Sequence, residues 1–362
     1  KVYDGTTAAT IASNSLTLAG LISGDTVSIN TATAAANFVD RNVGTAKNVS
    51  LSNATLTGAN AANYSITLTG APTASANITA KELTIAGSFT ADNKVYDGTT
   101  AATIASNILT LAGLISGDTV SINTTSTTAA FADRNVANGK SVSLTATALT
   151  GANAANYSIT LTGAPTAAAN ITPKELTIAG SFTASNKVYD GTTAATIASN
   201  SLTLAGLISG DTVSINTTST TATFGDRNVG TAKAVSLTAT ALTGANAANY
   251  TITLTGAPTT SANITPKELT IVGSFTASNK VYDGTTAATI ASNSLTLTGL
   301  ISGDTVSINA GSTTASFSDR NVANGKAVSL TAAPITGANA ANYTITLTGA
   351  PTAAANITAK EL

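Results

Sequence analysis

The chain of 362 residues contains no cysteine, histidine, methionine or tryptophan. Without cysteine no disulfide staples the fold and no thiolate chemistry is available. The absence of histidine removes the Ser-His and Cys-His nucleophile pairs. Charge is also scarce, at 9% of residues, with 16 basic against 17 acidic side chains. So balanced a chain lacks the basic surface that neutralises phosphates, and nucleic acid is not an expected partner. No apolar run approaches the roughly 20 residues that cross a bilayer, so membrane insertion of this segment is not expected. No signal-peptide pattern opens the sequence.

What the sequence does contain is itself, four times. Lys-Val-Tyr-Asp-Gly-Thr-Thr-Ala-Ala-Thr begins at Lys1, Lys94, Lys187 and Lys280, a period of 93 residues, and similar text follows each time. The chain is ten residues short of four periods. The first copy lacks the stretch that elsewhere precedes Lys-Val-Tyr, Thr84 to Asn93, which reads as a window from a longer array. A period of about 93 residues suits an independent domain and exceeds the roughly 20 to 50 residues of a common solenoid rung. The expected domains are 1–82, 83–175, 176–268 and 269–362, the first without its leading strand. The alternating G-T-A-K (Gly44 to Lys47) and A-N-G-K (Ala137 to Lys140) texts point to expansion by pairs of domains.

Within one period, apolar and polar residues alternate. Leu16-Thr-Leu18, Val27-Ser-Ile29, Val49-Ser-Leu51, Tyr64 to Leu68 and Leu83-Thr-Ile85 each put branched or large apolar groups on one face and hydroxyls on the other, as strands with one wet side do. Turn signals separate them at Asp4-Gly5, Ser23-Gly24-Asp25, Asp40-Arg41-Asn42, Thr57 to Asn60 and Gly70-Ala71-Pro72. Ala59 to Asn63 is a turn of at most one helical turn. The pattern predicts an all-β fold of four tandem Ig-like β-sandwich domains in an elongated rod. A parallel β-helix is the alternative architecture, disfavoured by the uneven strand spacing. The apolar parity changes at Lys81-Glu82, so one extended segment is expected to close one domain and open the next without a flexible spacer.

Candidate sites are few. Asp4, Asp25 and Asp40 recur in each period and are the weak candidates for calcium, but no dense acidic cluster accompanies them and no cofactor is expected. Each lies in a turn, where Asp caps its own backbone, and no catalytic role is expected of them. Asp40-Arg41 is read as a local ion pair or a loop anchor. Tyr3, Asp4 and Gly5, with Asp40, Arg41, Asn42, Tyr64, Lys81 and Glu82, form the structural motif, and the Tyr3 ring is expected in the core with its hydroxyl bonded. Threonine tracts such as Thr67-Leu-Thr69 lack the solenoid spacing of an ice-binding face. Sequons such as Asn63-Tyr-Ser65 and Asn156-Tyr-Ser158 leave glycosylation open.

Four ordered motifs carry a family resemblance: Lys-Val-Tyr-Asp-Gly-Thr-Thr, Phe-x-Asp-Arg-Asn-Val-Gly (Phe38 to Gly44), Leu-Thr-Gly-Ala-Asn-Ala-Ala-Asn-Tyr (Leu56 to Tyr64) and Asn-Ile-Thr-Pro-Lys-Glu-Leu (Asn170 to Leu176). Together they resemble YDG repeats, which stand in tandem in large secreted bacterial proteins, often ones resembling filamentous-haemagglutinin adhesins exported by two-partner secretion. The resemblance implies a stalk or fibre module at the surface of, or outside, a Gram-negative cell, and no enzyme. The expected function is thus structural, with neighbouring repeats of the same chain as partners. The alternative is a repeated module that binds surface glycans weakly or associates with like chains in a filament.

Overall fold

The computed structural model describes all 362 residues. It is all β, with short 3-10 turns at Ala61–Asn63 and its counterparts, and one more at Ala310–Ser312, as the helical pieces. The chain divides into two compact units, Lys1–Lys174 and Glu175–Leu362, each holding two repeats.

In the first unit, β1 (Ala8–Ala9), β2 (Ser28–Phe38), β3 (Gly44–Thr57) and β4 (Thr73–Ile78) form one antiparallel sheet in that order. The second repeat begins with β5 (Lys81–Ala91) and continues through β6 (Lys94–Val95), β7 (Ala101–Ala102), β8 (Ile104–Ala112), β9 (Ser121–Phe131), β10 (Ala137–Thr150), β11 (Tyr157–Thr160) and β12 (Thr166–Thr172). These make two sheets, one ordered β6-β12-β10-β9-β7 and one ordered β11-β5-β8. In the second sheet β8 runs antiparallel to β5 and β11 runs parallel to it, pairing Tyr157 with Lys81 and Ile159 with Leu83.

The alternation of side chains explains the two-layer arrangement. In the third repeat, Ile178 and Phe182 of the smaller sheet pack in one buried cluster with Phe224, Val235, Leu237 and Ile264 of the larger, forming a sandwich core. The outer faces carry hydroxyls that pair across strands, as in Thr128 with Thr145 at 2.8 Å and Thr90 with Ser106 at 2.6 Å. Such pairs each add a few tenths of a kcal/mol, roughly, and account for the threonine surplus. Gly87 sits within β5 at φ +82°, and a Cβ there would stand 2.3 Å from the Ile108 carbonyl oxygen. Only glycine lets the two strands approach at that point.

The strands expected at Leu16–Leu18 and Tyr64–Leu68 are absent from the first repeat, although their counterparts in the second lie in β8 and β11. Both counterparts hydrogen-bond to β5. Residues 1–80 contain no counterpart of β5, and neither segment forms a ladder within them. In the fourth repeat the smaller sheet is interrupted instead. Lys267–Val272 pairs with Thr296–Thr298 and Tyr343–Thr346, and Phe275–Ala277 pairs separately with Ile290–Asn293. The break falls at Gly273-Ser274, where the glycine has φ +95°.

The paired texts of alternate repeats have a conformational meaning. The third residue of each four-residue stretch is left-handed: Ala46 and Ala232 at φ 49°, Gly139 and Gly325 at φ 61°. In all four its N–H donates to an asparagine side chain, Asn77, Asn170, Asn263 or Asn356. Alanine in this region costs about 1–2 kcal/mol, of which glycine's extra chain entropy offsets about 0.5–1. Ala46→Gly is therefore expected to stabilise its unit by up to about 1 kcal/mol, read as a rise in Tm, whereas Gly139→Ala should lower it.

Candidate functional site

The first of the recurring motifs builds a local clamp. Lys1 reaches over the Phe38 ring at 5.7 Å from its centroid and bonds the Asp4 carboxylate at 2.8 Å and the Thr6 carbonyl oxygen at 2.8 Å. Asp4 accepts from the Thr6 N–H at 2.9 Å, closing the turn. The hydrogen bond from Lys1 outweighs the opposing effect of burial and holds the Asp4 carboxyl at about 2. Lys94, Lys187 and Lys280 repeat these contacts. The clamp aims the next residue but one, Tyr3, inward, where it is 1% exposed.

Tyr3 enters a site shared with the following repeat. Its hydroxyl donates to Asp118 Oδ2 at 2.8 Å, and the Tyr157 hydroxyl donates to the same oxygen at 2.7 Å. The two rings meet edge to face at 5.3 Å. Arg41 of the first repeat brings its guanidinium to 3.2 Å from Asp118 Oδ1, and the aspartate side chain is wholly buried. Alongside, the Val43 N–H donates to Asn156 Oδ1 at 2.9 Å and Asn156 Nδ2 donates to Asn42 at 3.2 Å. Tyr3, Ile78, Leu83 and Tyr157 share one buried cluster with Phe38 and Val49, so the hydrophobic core of the first repeat continues into the second.

The second unit repeats the arrangement between its own two repeats. Tyr189 and Tyr343 donate to Asp304 at 2.8 and 2.6 Å, Arg227 stands 3.3 Å from it, and Val229 donates to Asn342 at 2.8 Å. Glycine is required beside the tyrosine. A Cβ on Gly191, at φ +79°, would meet Ile301 Cγ2 at 2.8 Å.

The electrostatics follow from burial and partner. Desolvation pushes the Asp118 carboxyl up, but hydrogen bonds from Tyr157 and Tyr3 and the charge of Arg41 outweigh it, and the group stays below the ordinary carboxylate range. Burial and the bond to Asp118 push Tyr157 up to about 12, and burial and Asp304 do the same to Tyr343. Two neutral tyrosines thus donate to one anion, while the half-exposed arginine balances its charge.

The residues singled out in the sequence divide between two roles. Tyr3, Gly5, Arg41 and Asn42 face the following repeat. Asp4 and Asp40 hold their own loops. Arg41 does not pair with Asp40, whose ion pair goes to Lys47 at 2.6 Å while it caps the Asn42 N–H at 2.7 Å. Adjacent residues in an extended loop point to opposite sides, which sends Arg41 outward to the next domain. Asp25 accepts from the Tyr64 hydroxyl at 2.5 Å. Asp4, Asp25 and Asp40 each have a different local partner, and nowhere do three acidic side chains gather as a metal site. Lys81 and Glu82 open β5, between buried Ile78 (1% exposed) and Leu83 (0%). Asn156 was missed as a junction residue and read only as part of a sequon. Its side chain is buried and bonded on both sides, out of reach of sugar attachment in the folded unit. The available signal was its place beside Tyr157 in a turn with no charged neighbour.

Family comparison finds four successive matches along the chain. The YDG domain matches at residues 1–74, 79–168, 172–261 and 265–354. No curated protein matches the chain. Among solved structures, the I9–I11 tandem from titin is similar at 9% identity, covering 77% of this chain and 100% of the titin chain, with a TM-score of 0.19. The sandwich architecture is read from the paired sheets themselves. With four successive matches along nearly its whole length, the chain belongs to the YDG domain family.

Proposed function

We propose that these repeats are a structural segment of a bacterial extracellular adhesin or matrix protein, of the filamentous-haemagglutinin-like kind exported by two-partner secretion from a Gram-negative cell. Their contribution is length and stiffness. The observation that supports this reading is the junction: Tyr3, Arg41 and Asn42 of one repeat are bonded to Asp118 and Asn156 of the next, and strand β5 follows β4 with two residues between them. A buried, hydrogen-bonded junction of this sort resists bending, whereas a flexible Gly/Ser linker does not. The side chains themselves offer no nucleophile–base pair of the histidine or cysteine type.

Small-angle X-ray scattering on proteins of two, four and six repeats tests the reading. The maximum dimension is expected to rise by the same increment for each added repeat. Growth as the square root of repeat number, as for a flexibly linked chain, would sink it.

A further inference from the structure

Asn-Gly occurs twice in the chain, at Asn138-Gly139 and Asn324-Gly325, where the first and third repeats carry Thr45-Ala46 and Thr231-Ala232. The pair is reactive by its own chemistry. A backbone nitrogen can attack the side-chain carbonyl carbon of the asparagine before it and close a five-membered ring. Glycine at the second position removes the Cβ that hinders this approach.

The fold leaves the pair accessible and gives it slack. Asn138 and Asn324 are both exposed. Ala137 pairs with Ile171 and Lys140 with Ala169, so Asn138 and Gly139 together stand opposite one residue, Asn170, in a β-bulge. The fourth repeat has the same bulge, with Ala323 on Ile357 and Lys326 on Ala355. Extra backbone at a bulge lies outside the ladder, so a change in its length need not shift the strand's register. The restraint on the attacking nitrogen is one hydrogen bond, from the Gly139 N–H to Asn170 Oδ1 at 2.7 Å, or from the Gly325 N–H to Asn356 Oδ1 at 2.7 Å. The four Asp-Gly pairs are chemically related but guarded. The Asp4 carboxylate accepts from Lys1 and from the Thr6 N–H, which keep it ionised, and an ionised carboxylate resists attack. Asp97, Asp190 and Asp283 have the same partners.

We propose that Asn138 and Asn324 are sites of spontaneous covalent modification, where the exposed Asn-Gly bulge converts its own asparagine to aspartate and isoaspartate. The Gly139 nitrogen gives up its proton to solvent and bonds to Asn138 Cγ. The Cγ–Nδ2 bond then breaks, and the nitrogen takes a proton from solvent and leaves as ammonia. Water opens the resulting succinimide at either carbonyl. Cleavage at Cγ restores the backbone and leaves aspartate, whereas cleavage at the backbone carbonyl routes the chain through the side chain and adds one methylene to the bulge. One water is consumed and one ammonia released, with no oxidant or catalyst. Each event adds a negative charge to a chain whose formal net charge is −1, and it falls in the second and fourth repeats. The sites are independent of whether the array serves as a stalk.

The test ages the whole folded chain in mildly alkaline buffer and follows each asparagine by mass spectrometry after digestion, with aspartate and isoaspartate peptides separated by chromatography. Both Asn-Gly sites are expected to convert, with isoaspartate among the products, and the remaining asparagines and the Asp-Gly pairs to react at least about tenfold more slowly. Gly139→Ala places there the residue that Ala46 and Ala232 supply in the other repeats. It should slow Asn138 about tenfold and leave Asn324, the reference within the same molecule, unchanged. Asn170→Ala frees the attacking nitrogen and should speed Asn138 several-fold, without speeding the other asparagines of its repeat as unfolding would. The proposal is overturned if the folded chain stays unmodified for as long as the urea-unfolded chain takes to convert, if aspartate forms without isoaspartate, or if Gly139→Ala reacts as fast as the parent. An unchanged rate in Asn170→Ala, or one raised equally across the repeat, would overturn the part assigned to the hydrogen bond.

Discussion

Replacing Asp118 with alanine is expected to be among the most damaging single changes to the first unit, lowering its stability by about 3–5 kcal/mol. The substitution deletes the common acceptor of Tyr3 and Tyr157 and leaves both hydroxyls in a buried site, with Arg41 facing no anion. Urea denaturation reads the loss as a lowered midpoint. Asp25→Ala is the control, because Asp25 occupies the same Ser-Gly-Asp turn and has the Tyr64 hydroxyl but no second tyrosine or arginine against it. It should cost much less. Equal costs at the two positions would mean that the turn, and not the contact between repeats, sets the effect.

The same pair predicts an alkaline limit. Tyr157 is held protonated to about 12, above its ordinary value of about 10. A raised pKa in the folded state contributes stability that is complete below pH 10 and is lost as pH climbs towards 12. In Asp118→Ala the tyrosinate absorbance of this residue should appear at lower pH than in the parent. Asp118 itself is depressed, so its contribution is present above the ordinary carboxylate range and disappears only in stronger acid.

Leu269→Ala is the second large effect, about 2–5 kcal/mol. Leu269 belongs to the leading strand of the fourth repeat, yet it lies fully buried in a cluster with Tyr189, Phe224, Val235 and Ile264 of the third. Its truncation should therefore lower the protection of both repeats in hydrogen exchange. A change confined to the fourth repeat would show that the two cores unfold separately.

Much of this was legible in the chain before folding. Period-two alternation in segments such as Leu83-Thr-Ile85 and Val49-Ser-Leu51 is dictated by which face meets water, and it survives in β5 and β3. The family was legible because its four motifs keep their order. The destination of Arg41 was not. Side-chain direction in a loop depends on the neighbouring domain, and Asp118 lies in the turn of a different repeat. The positive φ of Ala46 was hidden for a similar reason, since alanine there looks like any other loop residue and only the Asn77 acceptor shows why the backbone turns.

The junction also bears on how such genes change. In both units the leading repeat presents Tyr, Arg and Asn and the following repeat the matching Asp, Tyr and Asn, and the sequence carries the same residue types at these positions in all four periods. Removing or inserting whole periods by recombination brings together ends that already fit, so no compensating mutation is required at the new boundary. A change of any other length would place an Arg41-type loop against the wrong turn. Size variation among such arrays should therefore occur in whole repeats.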